Sequence, residues 1–352
     1  MNSPVLVTVA PVTSFAELAA EWRALEAEAA PVPPFRSWSW VGCLAEERYP
    51  DPVLLRAEAA GRLVGLALFN RRQGRLALAE SGEGRLDAPY IEHNAPLLRS
   101  DQAGALAKLL DAAARLPGVR RLVLSGVGPE VAVAAPGVAW RRRASPAPFV
   151  DLRVVRDAGD PLAHLSANTR QQVRRSLRRF AEAGPVELVA ARDGVEAGAW
   201  LDALIGLHQQ SWQARGKPGA FADPFMRRFH AALIARAMAQ DELDLLRLTA
   251  GGTVLGYLYN LRRDGHVCAY QSGFAAEAAD AQRKPGLVAH LLAIGQAAAR
   301  GDAVYDFLAG EARYKSSLAT GSRDLVWTEQ VSAWSWRGLV ARLARVLRRG
   351  QA

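Results

Sequence analysis

The chain has 352 residues, enough for about two domains of ordinary size. Half of its residues are apolar and 22% are charged, which is typical of a globular protein with a sizeable core. No apolar run reaches the roughly 18 residues that a membrane-spanning helix needs, and the first ten residues do not resemble a secretory signal. Two cysteines and six scattered histidines argue against a disulfide framework and the common zinc motifs. These features predict a cytoplasmic protein without a metal.

The net charge of +9 is concentrated in two short segments. The first contains Arg170, Arg174, Arg175, Arg178 and Arg179, and the second contains Arg337, Arg342, Arg345, Arg348 and Arg349. Neither segment contains an acidic residue, and without these ten arginines the chain would be close to neutral. The pattern argues against nucleic-acid binding over the whole surface and indicates two local contacts with anions.

The predicted elements follow a similar order in the two halves of the chain. Residues 15–126 are predicted to form two helices, three strands, a loop, a helix and a strand, and a further strand is predicted at 150–155. The second half is predicted to contain a strand at 186–191, helices at 195–215 and 223–240, strands at 243–249, 254–261 and 266–274, a helix at 285–300, a strand at 303–308, a short helix at 311–318 and a closing strand at 326–334. Glycine-containing turns separate the three consecutive strands, which should therefore be antiparallel.

Short similar sequences also recur about 190 residues apart. Trp22 has a counterpart in Trp212, Pro34-Phe35 in Pro224-Phe225, and Arg62-Leu63-Val64-Gly65 in Thr253-Val254-Leu255-Gly256. The nearly constant spacing indicates an ancient duplication, with chance similarity in a chain rich in Ala, Leu and Arg as the alternative.

An ordered set of motifs in the second half resembles a known family. The motifs are Ser166-Ala167-Asn168-Thr169-Arg170, Tyr270-Gln271-Ser272-Gly273-Phe274, Pro285-Gly286, and Tyr305-Asp306-Phe307-Leu308-Ala309-Gly310 followed by Tyr314-Lys315. Together with the element order they resemble the BioF2-like or CelD-like acetyltransferase domain of the GNAT superfamily, which is related to the Fem-type peptidyltransferases. The resemblance implies an α/β (α+β) fold of tandem GNAT-like domains, each with a mixed, mostly antiparallel sheet flanked by helices. We expect a degenerate domain over 1–150, an acyltransferase domain over 151–336 and a basic amphipathic tail over 337–352.

The predicted donor site lies around the start of the helix at 285–300. Arg283, Lys284, Pro285 and Gly286 combine two cations, a proline suited to a first helical turn and a glycine that allows close approach, which is the geometry that a pyrophosphate needs. They are the candidate ligands of acyl-CoA, although Val288 departs from the family's glycine-rich loop. An ordinary basic helix start is the alternative.

The strand before that loop would pair with the pantetheine arm in the related fold. Ser272, Gly273 and Phe274 occupy this place, and Gly273 would let another backbone approach. The alternative is a simple bulge in the strand.

Acyl transfer needs a base for the acceptor and a proton donor for the leaving thiolate. Asp306 or Glu311 is the candidate base, Tyr314 the candidate donor, and Lys315 a candidate contact for an anionic acceptor or phosphate. His208 is a further candidate base, but it falls in the apolar pattern of a helix, which favours a core position.

Two further groups of residues are candidates for binding the acceptor. Tyr257, Tyr259 and Tyr270 could line an acceptor cleft or simply pack against a helix. Arg170 and Arg174 recur with helical spacing, so they could bind a phosphate or form a solvated helix face. Asn168-Thr169 is predicted to start and cap this helix.

The tail over 337–352 alternates apolar residues with arginines in the pattern of an amphipathic helix. Such a helix could contact a membrane surface, which would place the protein at the inner membrane face, or dock on its own domain.

In the first half, Asp101 stands where a pyrophosphate would need positive potential, so this half is expected to have lost cofactor binding.

The sequence therefore predicts an acyltransferase that moves an acyl group from acyl-CoA, such as acetyl-CoA, to an amine or hydroxyl of a small-molecule or saccharide acceptor without a metal. The CelD-like resemblance implies a role in exopolysaccharide, cellulose or cell-envelope synthesis. Two alternatives stay open: a Fem-like transferase that uses aminoacyl-tRNA, the one case in which nucleic acid would be a partner, and a non-catalytic accessory protein of a polysaccharide synthase.

Overall fold

The structure is a computed structural model that describes residues 4–29, 31–84, 87, 90–280 and 282–349, with side chains of the last helix described up to residue 343. The chain forms two compact units. Unit 1 comprises Met1–Ser145 and Asp324–Ala352, and unit 2 comprises Pro146–Arg323.

Unit 1 is built on a mixed sheet that helices flank. Its elements are β1 (Val5–Ala10), α1 (Phe15–Glu26), a 3-10 helix (Pro34–Arg36), α2 (Trp38–Arg48), β2 (Pro52–Ala59), β3 (Arg62–Arg72), β4 (Arg75–Leu78), β5 (Leu97–Leu98), α3 (Ala105–Arg115), β6 (Arg121–Val127), α4 (Pro129–Ala134), the first part of β7 (Val138–Asp151), most of β13 (Gly321–Val331) and α11 (Trp336–Arg349). The strands are ordered β1-β2-β3-β4-β6-β13-β7, and β5 pairs with β3. The β4–β6 pair is parallel, whereas β1–β2, β2–β3, β3–β4 and β6–β13 are antiparallel.

Unit 2 repeats this plan. Its elements are the end of β7, α5 (Leu152–Ala158), α6 (Ala167–Ala181), β8 (Val186–Ala190), α7 (Gly194–Gln213), α8 (Pro224–Ala239), β9 (Leu243–Ala250), β10 (Thr253–Arg263), β11 (His266–Phe274), a 3-10 helix (Ala276–Ala278), α9 (Pro285–Arg300), β12 (Val304–Asp306) and α10 (Arg313–Leu318). The strands are ordered β7-β12-β11-β10-β9-β8. Both units thus contain a strand, two helices, three antiparallel strands, a helix and a parallel strand in that order, which confirms the tandem GNAT-like fold.

Local sequence explains where the helices of unit 2 begin and end. The Asp223 side chain accepts a hydrogen bond from the Phe225 amide and Pro224 occupies the first turn of α8. Helix α9 ends at Gly301, whose φ of 91° is easily adopted only by glycine. Its buried face combines alanines, including Ala289, Ala293 and Ala297, with larger apolar residues that belong to the core of unit 2.

Two strand predictions need correction. The strand predicted at 150–155 ends at Asp151, because the Asp151 side chain accepts a hydrogen bond from the Arg153 amide and starts helix α5. The strand predicted to close the second half, 326–334, is observed as β13, which begins earlier at Gly321, ends at Val331 and pairs with β6 of unit 1. Its sequence does not indicate which neighbouring strand it pairs with.

Strands β11 and β12 separate partway along their length. They pair in parallel at three positions only, from His266–Val304 to Cys268–Asp306. Beyond Asp306 strand β12 ends, whereas β11 continues to Phe274. The end of β11 therefore has an edge that β12 does not cover, next to the N-terminus of α9.

The C-terminal tail forms the helix α11, as its amphipathic pattern predicts. Among the helices that the structure describes, none is both long and apolar enough to cross a bilayer.

Candidate active site

A cavity of about 620 Å³ opens in unit 2 where β11 separates from β12. Four elements line it: the first turns of α6, the end of β11, the first turns of α9, and α10. The lining residues are Asn168, Thr169, Gln172, Ser272, Phe274, Ala279, Lys284, Pro285, Gly286, Leu287, His290, Arg313, Tyr314 and Ser317. Among these described residues Lys284 and Arg313 are cations and none is a carboxylate, so the cavity favours an anionic ligand.

The first turn of α9 forms one wall of the cavity. Pro285 occupies the first turn, and Lys284 precedes it without a side-chain cap. The amides of Gly286 and Leu287 belong to the first turn, where the helix itself offers no acceptor. The positive end of the helix and these amides together suit a phosphate group.

Helix α6 holds the loop that leads into α9. The Ser176 hydroxyl donates to the Gln282 carbonyl at 2.9 Å and accepts from the Lys284 amide at 3.2 Å. Arg179 donates to the Gln282 side chain at 3.0 Å. Ser176 is fully buried. Its role could not be predicted, because a serine inside an arginine-rich helix has no distinctive sequence pattern.

The structure separates two cations that the sequence grouped together. Lys284 lines the cavity, whereas Arg283 does not and instead donates to Asp280, with 2.7 Å between Nε and Oδ2. This hydrogen bond, together with the amides of Gln282 and Arg283, lowers the pKa of Asp280 to about 2. Arg283 therefore stabilises the loop, while Arg313 of α10, which no sequence motif indicated, supplies a second positive charge in the cavity.

The strand residues predicted for the donor site are also divided. Ser272 and Phe274 line the cavity, but Gly273 does not. A Cβ atom at Gly273 would lie 2.6 Å from the Leu204 carbonyl oxygen of α7. The backbone that approaches this glycine is therefore that of α7. Phe274 in turn contacts Gly286, where a Cβ atom would lie 3.2 Å from the ring.

His290 and Tyr314 form the part of the cavity with acid–base chemistry. Their rings stack at 5.3 Å between centroids with 17° between planes. His290 Nδ1 lies 2.9 Å from the Tyr305 hydroxyl, which accepts a hydrogen bond from the Asn260 amide at 3.4 Å. A neutral imidazole that accepts from the Tyr305 hydroxyl at Nδ1 carries its proton on Nε2. His290 was missed because a lone histidine in an apolar helix resembles a core residue.

Burial determines the protonation states of these groups. It lowers the pKa of His290 to about 3, and the charge of Lys315 acts in the same direction. It raises the pKa of Tyr305 well above its usual value of 10, and it also raises the pKa of Tyr314. At neutral pH His290 is therefore uncharged, and Tyr314 keeps its proton although 41% of the residue is exposed.

The other predicted catalytic residues lie outside the cavity lining. Asp306 is completely buried; its Oδ1 accepts from the Leu308 amide at 2.7 Å and its Oδ2 lies 3.3 Å from His266 Nε2. Lys315 donates to the carbonyls of Leu308 and Ala309. These contacts hold Leu308 in a left-handed conformation with a φ of 62°. Glu311 is exposed in the following loop.

The predicted acceptor tyrosines belong to the other side of the sheet. Tyr259 is fully buried, and its hydroxyl lies 3.3 Å from His230 Nδ1. The Tyr270 hydroxyl lies 3.4 Å from His230 Nε2. Tyr257 packs against Trp200 of α7, and burial raises its pKa. None of these tyrosines lines the cavity.

His208 is a core residue of α7, as its apolar pattern favours. Its Nδ1 lies 3.1 Å from the Ser272 carbonyl oxygen, and its Nε2 accepts from the Ala220 amide at 3.4 Å. Desolvation lowers its pKa.

The arginine stripe of α6 lines a separate surface concavity, also of about 620 Å³. Arg170, Arg174 and Arg178 face it, and the structure gives none of the three a salt bridge or side-chain hydrogen bond within the described part of the chain. The helix begins at Ala167, and Ser166 caps it by accepting from the Thr169 amide. The cap predicted at Asn168-Thr169 is therefore wrong by two residues, because the Ser166 hydroxyl satisfies this amide.

Residues 167–316 match the family model described as an acetyltransferase (GNAT) domain. This match contains every residue that lines the cavity except Ser317. Over these residues unit 2 is similar to GNAT-type acetyltransferase domains, which agrees with the GNAT resemblance seen in its sequence. No curated protein matches the chain in a sequence comparison.

Several solved structures resemble the whole chain. The crystal structure of FemX aligns over 96% of this chain and 99% of its own, with a TM-score of 0.63 and 10% identity. The C-terminal domain of a putative lysylphosphatidylglycerol synthetase from Agrobacterium fabrum aligns over 95% and 97%, with a TM-score of 0.55 and 14% identity. L-PGS from Bacillus licheniformis aligns over 95% and 97%, with a TM-score of 0.55 and 12% identity. At these identities the similarity concerns the fold.

Proposed function

We propose that unit 2 is an acyltransferase that takes an acyl group from acyl-CoA and transfers it to an amine or hydroxyl. The observation that carries this proposal is the composition of the cavity: the first turn of α9, the cations Lys284 and Arg313, and a protonated Tyr314 line one space without a carboxylate among its described residues. A pyrophosphate would accept from the amides of Gly286 and Leu287 while Lys284 and Arg313 neutralise its charge.

The uncovered edge of β11 would position the rest of the donor. Ser272 lies on this edge inside the cavity, and Phe274 gives the cavity an apolar wall beside Gly286. A pantetheine arm contains amide groups that can pair with an exposed strand edge. This arrangement would direct the thioester toward His290 and Tyr314.

The reaction forms a bond between the acceptor nitrogen or oxygen and the acyl carbon, and it breaks the bond between that carbon and sulfur. Tyr314 would give its proton to the leaving thiolate, which its raised pKa permits because the phenol stays protonated at neutral pH. His290 would donate from Nε2 to the carbonyl oxygen as negative charge develops there. Glu311 is the exposed carboxylate proposed to take the acceptor's proton.

Calorimetry with acetyl-CoA tests donor binding. We expect micromolar binding to the wild-type protein and about tenfold weaker binding, or about 1.4 kcal/mol, for the Lys284→Gln and Arg313→Gln variants. Arg283→Gln is the matched control, because this cation belongs to the same loop but lies outside the cavity. The proposal fails if the folded wild-type protein does not bind, or if Arg283→Gln weakens binding more than the two cavity variants.

Release of free coenzyme A tests turnover and the acceptor class. A thiol-reactive dye reports the released thiol, and mass spectrometry of the mixture identifies the acylated product. The first acceptors to test are amino sugars, other saccharides and small amines. The saccharides test the polysaccharide-related role that the CelD-like resemblance implies. Absence of donor binding by the folded protein would instead leave the non-catalytic accessory role and the aminoacyl-tRNA alternative.

A second candidate function is transfer from aminoacyl-tRNA. The stripe of Arg170, Arg174 and Arg178 favours it, because guanidinium groups that the described residues leave unpaired suit a phosphate backbone. RNA binding should then fall steeply with salt, and the Arg170→Gln/Arg174→Gln variant should lose it while retaining acetyl-CoA binding. Retention of RNA binding in this variant, or its absence from the wild type, would contradict the second candidate.

A further inference from the structure

Helix α11 presents an exposed apolar face. Trp336, Leu339, Val340 and Leu343 recur with the spacing of one helix face and span about 100° of its circumference. They are 64%, 49%, 45% and 65% exposed, respectively. Trp334, which precedes the helix, is 84% exposed. Leucine, valine and tryptophan side chains concentrated on one exposed face indicate a surface that something else covers.

The remaining circumference of α11 is basic. Arg337, Arg342, Arg345, Arg348 and Arg349 occupy positions outside the apolar arc, and residues 335–352 include no acid. The Arg337 guanidinium lies 5.0 Å from the Trp336 ring, and the Arg342 guanidinium lies 5.9 Å from the Trp334 ring. Apolar and cationic groups therefore meet at the border of the two faces.

The start of the helix is fixed on unit 1. The Ser335 hydroxyl donates to the Ser332 carbonyl at 2.7 Å and accepts from the Gly338 amide at 3.1 Å. The Trp336 ring packs edge-on against Trp140, with 6.1 Å between centroids. The helix thus begins at a defined place, while its apolar face stays exposed.

A concavity of about 550 Å³ adjoins the start of α11. Trp334 and Trp336 line it together with a basic set: Arg115, Arg120, Arg121 and Arg337. Asp111 is the one acid among the described lining residues and pairs with Arg115 at 3.0 Å, and Glu329 outside the lining pairs with Arg121 at 3.1 Å. The excess positive charge therefore comes from Arg120 and Arg337. An excess of positive charge beside two tryptophans suits a phosphate that lies at an apolar boundary.

We propose that α11 lies on an anionic phospholipid surface, with its apolar face among the acyl chains and its arginines at the phosphate level. This interaction is independent of the acyl-transfer chemistry proposed for unit 2. Charge complementarity selects this occupant over a second copy that docks through the same helix, because residues 335–352 include no acid to pair with the arginines. The combination of a moderate apolar area with several arginines is typical of helices that bind in the interface reversibly.

Co-sedimentation of the full-length protein with vesicles tests the proposal. One set of vesicles contains phosphatidylcholine alone, and the other contains roughly a third phosphatidylglycerol. We expect binding to the anionic vesicles to be at least about tenfold tighter, and to weaken as salt is added. Leu339→Gln/Leu343→Gln should reduce it about tenfold or more, because it removes apolar burial while keeping the charge. Arg337→Gln/Arg342→Gln should abolish the preference for anionic lipid.

The control is Val133→Gln on α4, which replaces an apolar side chain that is 84% exposed elsewhere in unit 1 and should leave vesicle binding unchanged. Circular dichroism checks that each variant is folded. The salt dependence of vesicle binding is measured on the wild-type protein and therefore tests the proposal even if a variant fails to fold. The proposal is overturned if the wild type binds neither vesicle, if it binds both equally, or if Leu339→Gln/Leu343→Gln binds like the wild type. Sedimentation equilibrium tests the alternative of a dimer. If the protein forms a dimer that depends on Leu339 and Leu343 and does not bind vesicles, the apolar face belongs to an interface with a second copy.

Discussion

The imidazole of His290 and the phenol of Tyr314 stack almost parallel, with 17° between the ring planes. The two rings come from different helices, α9 and α10, and the His290 Nδ1 contact with Tyr305 fixes the imidazole at the other end. The stack positions the Tyr314 hydroxyl without using it, which leaves the hydroxyl available for chemistry.

Replacing Tyr314 with phenylalanine removes the proposed proton donor and retains the ring stack. We expect kcat to fall about a hundredfold, with acetyl-CoA affinity changed by less than about threefold. Since burial raises the pKa of Tyr314 above 10, the wild-type rate should decline at alkaline pH only above that value. Steady-state kinetics across pH provide the measurement, and a variant with unchanged kcat would remove Tyr314 from the mechanism.

The two predicted carboxylates should behave differently. Asp306→Asn should destabilise the protein by about 2–4 kcal/mol, because the carboxylate is completely buried and holds the Leu308 amide. Glu311→Gln should change the free energy of unfolding by less than about 0.5 kcal/mol and lower kcat about a hundredfold. Urea unfolding and steady-state rates measure both. An Asp306→Asn variant of normal stability but no activity would make Asp306 the base.

Gly273 and Gly198 provide a matched pair for the packing of α7. Alanine at Gly273 would place its Cβ 2.6 Å from the Leu204 carbonyl oxygen, so Gly273→Ala should cost about 1–3 kcal/mol. Gly198 lies within α7, where a Cβ atom would meet no neighbouring group within 4 Å, and Gly198→Ala should stabilise the helix by up to about 1 kcal/mol. Thermal unfolding distinguishes the two, and equal effects would contradict the close approach of α7 to β11.

Two buried histidines should make the protein sensitive to acid. Burial lowers the pKa of His230 and of His290 to about 3, against 6.5 in the unfolded chain. Between these values the unfolded state binds more protons, so stability is full above about pH 6.5 and is lost as the pH falls toward 3. Each histidine should contribute up to about 1.4 kcal/mol per pH unit.

Urea unfolding at a series of pH values measures this slope. The His230→Gln and His290→Gln variants should each show a shallower loss of stability over the same range, whatever their stability at neutral pH. Slopes equal to that of the wild type would mean that neither histidine stays neutral in the folded protein.

Much of the fold of unit 2 is predictable from its sequence, because local chemistry determines it. Asp223 and Pro224 start α8, and Gly301 ends α9, each through a conformational preference of the residue itself. The edge that β13 joins could not be predicted, because a strand sequence by itself does not specify its partner strand. The pairing with β6 in the folded structure defines it.

The site was predictable to a smaller extent. Lys284, Ser272 and Tyr314 meet in one cavity as the motifs imply. Arg283 does not join them, because it pairs with Asp280 three residues earlier. The sequence spacing alone does not show whether Arg283 binds this carboxylate or a ligand. His290 was missed although it lies little more than one turn after Gly286 on the helix that forms the cavity wall. Its place in the sequence indicates burial, while its contact with Tyr305 depends on a strand that follows later in the chain.

The position of β13 has a consequence for biosynthesis. Unit 1 needs this strand, yet the ribosome makes it only after all of unit 2 has been translated. Until then, the edge of β6 that β13 later covers lacks that partner in the nascent chain, and exposed strand edges promote association between chains. Unit 2 is contiguous and can fold first, so the N-terminal half of this protein completes its sheet last.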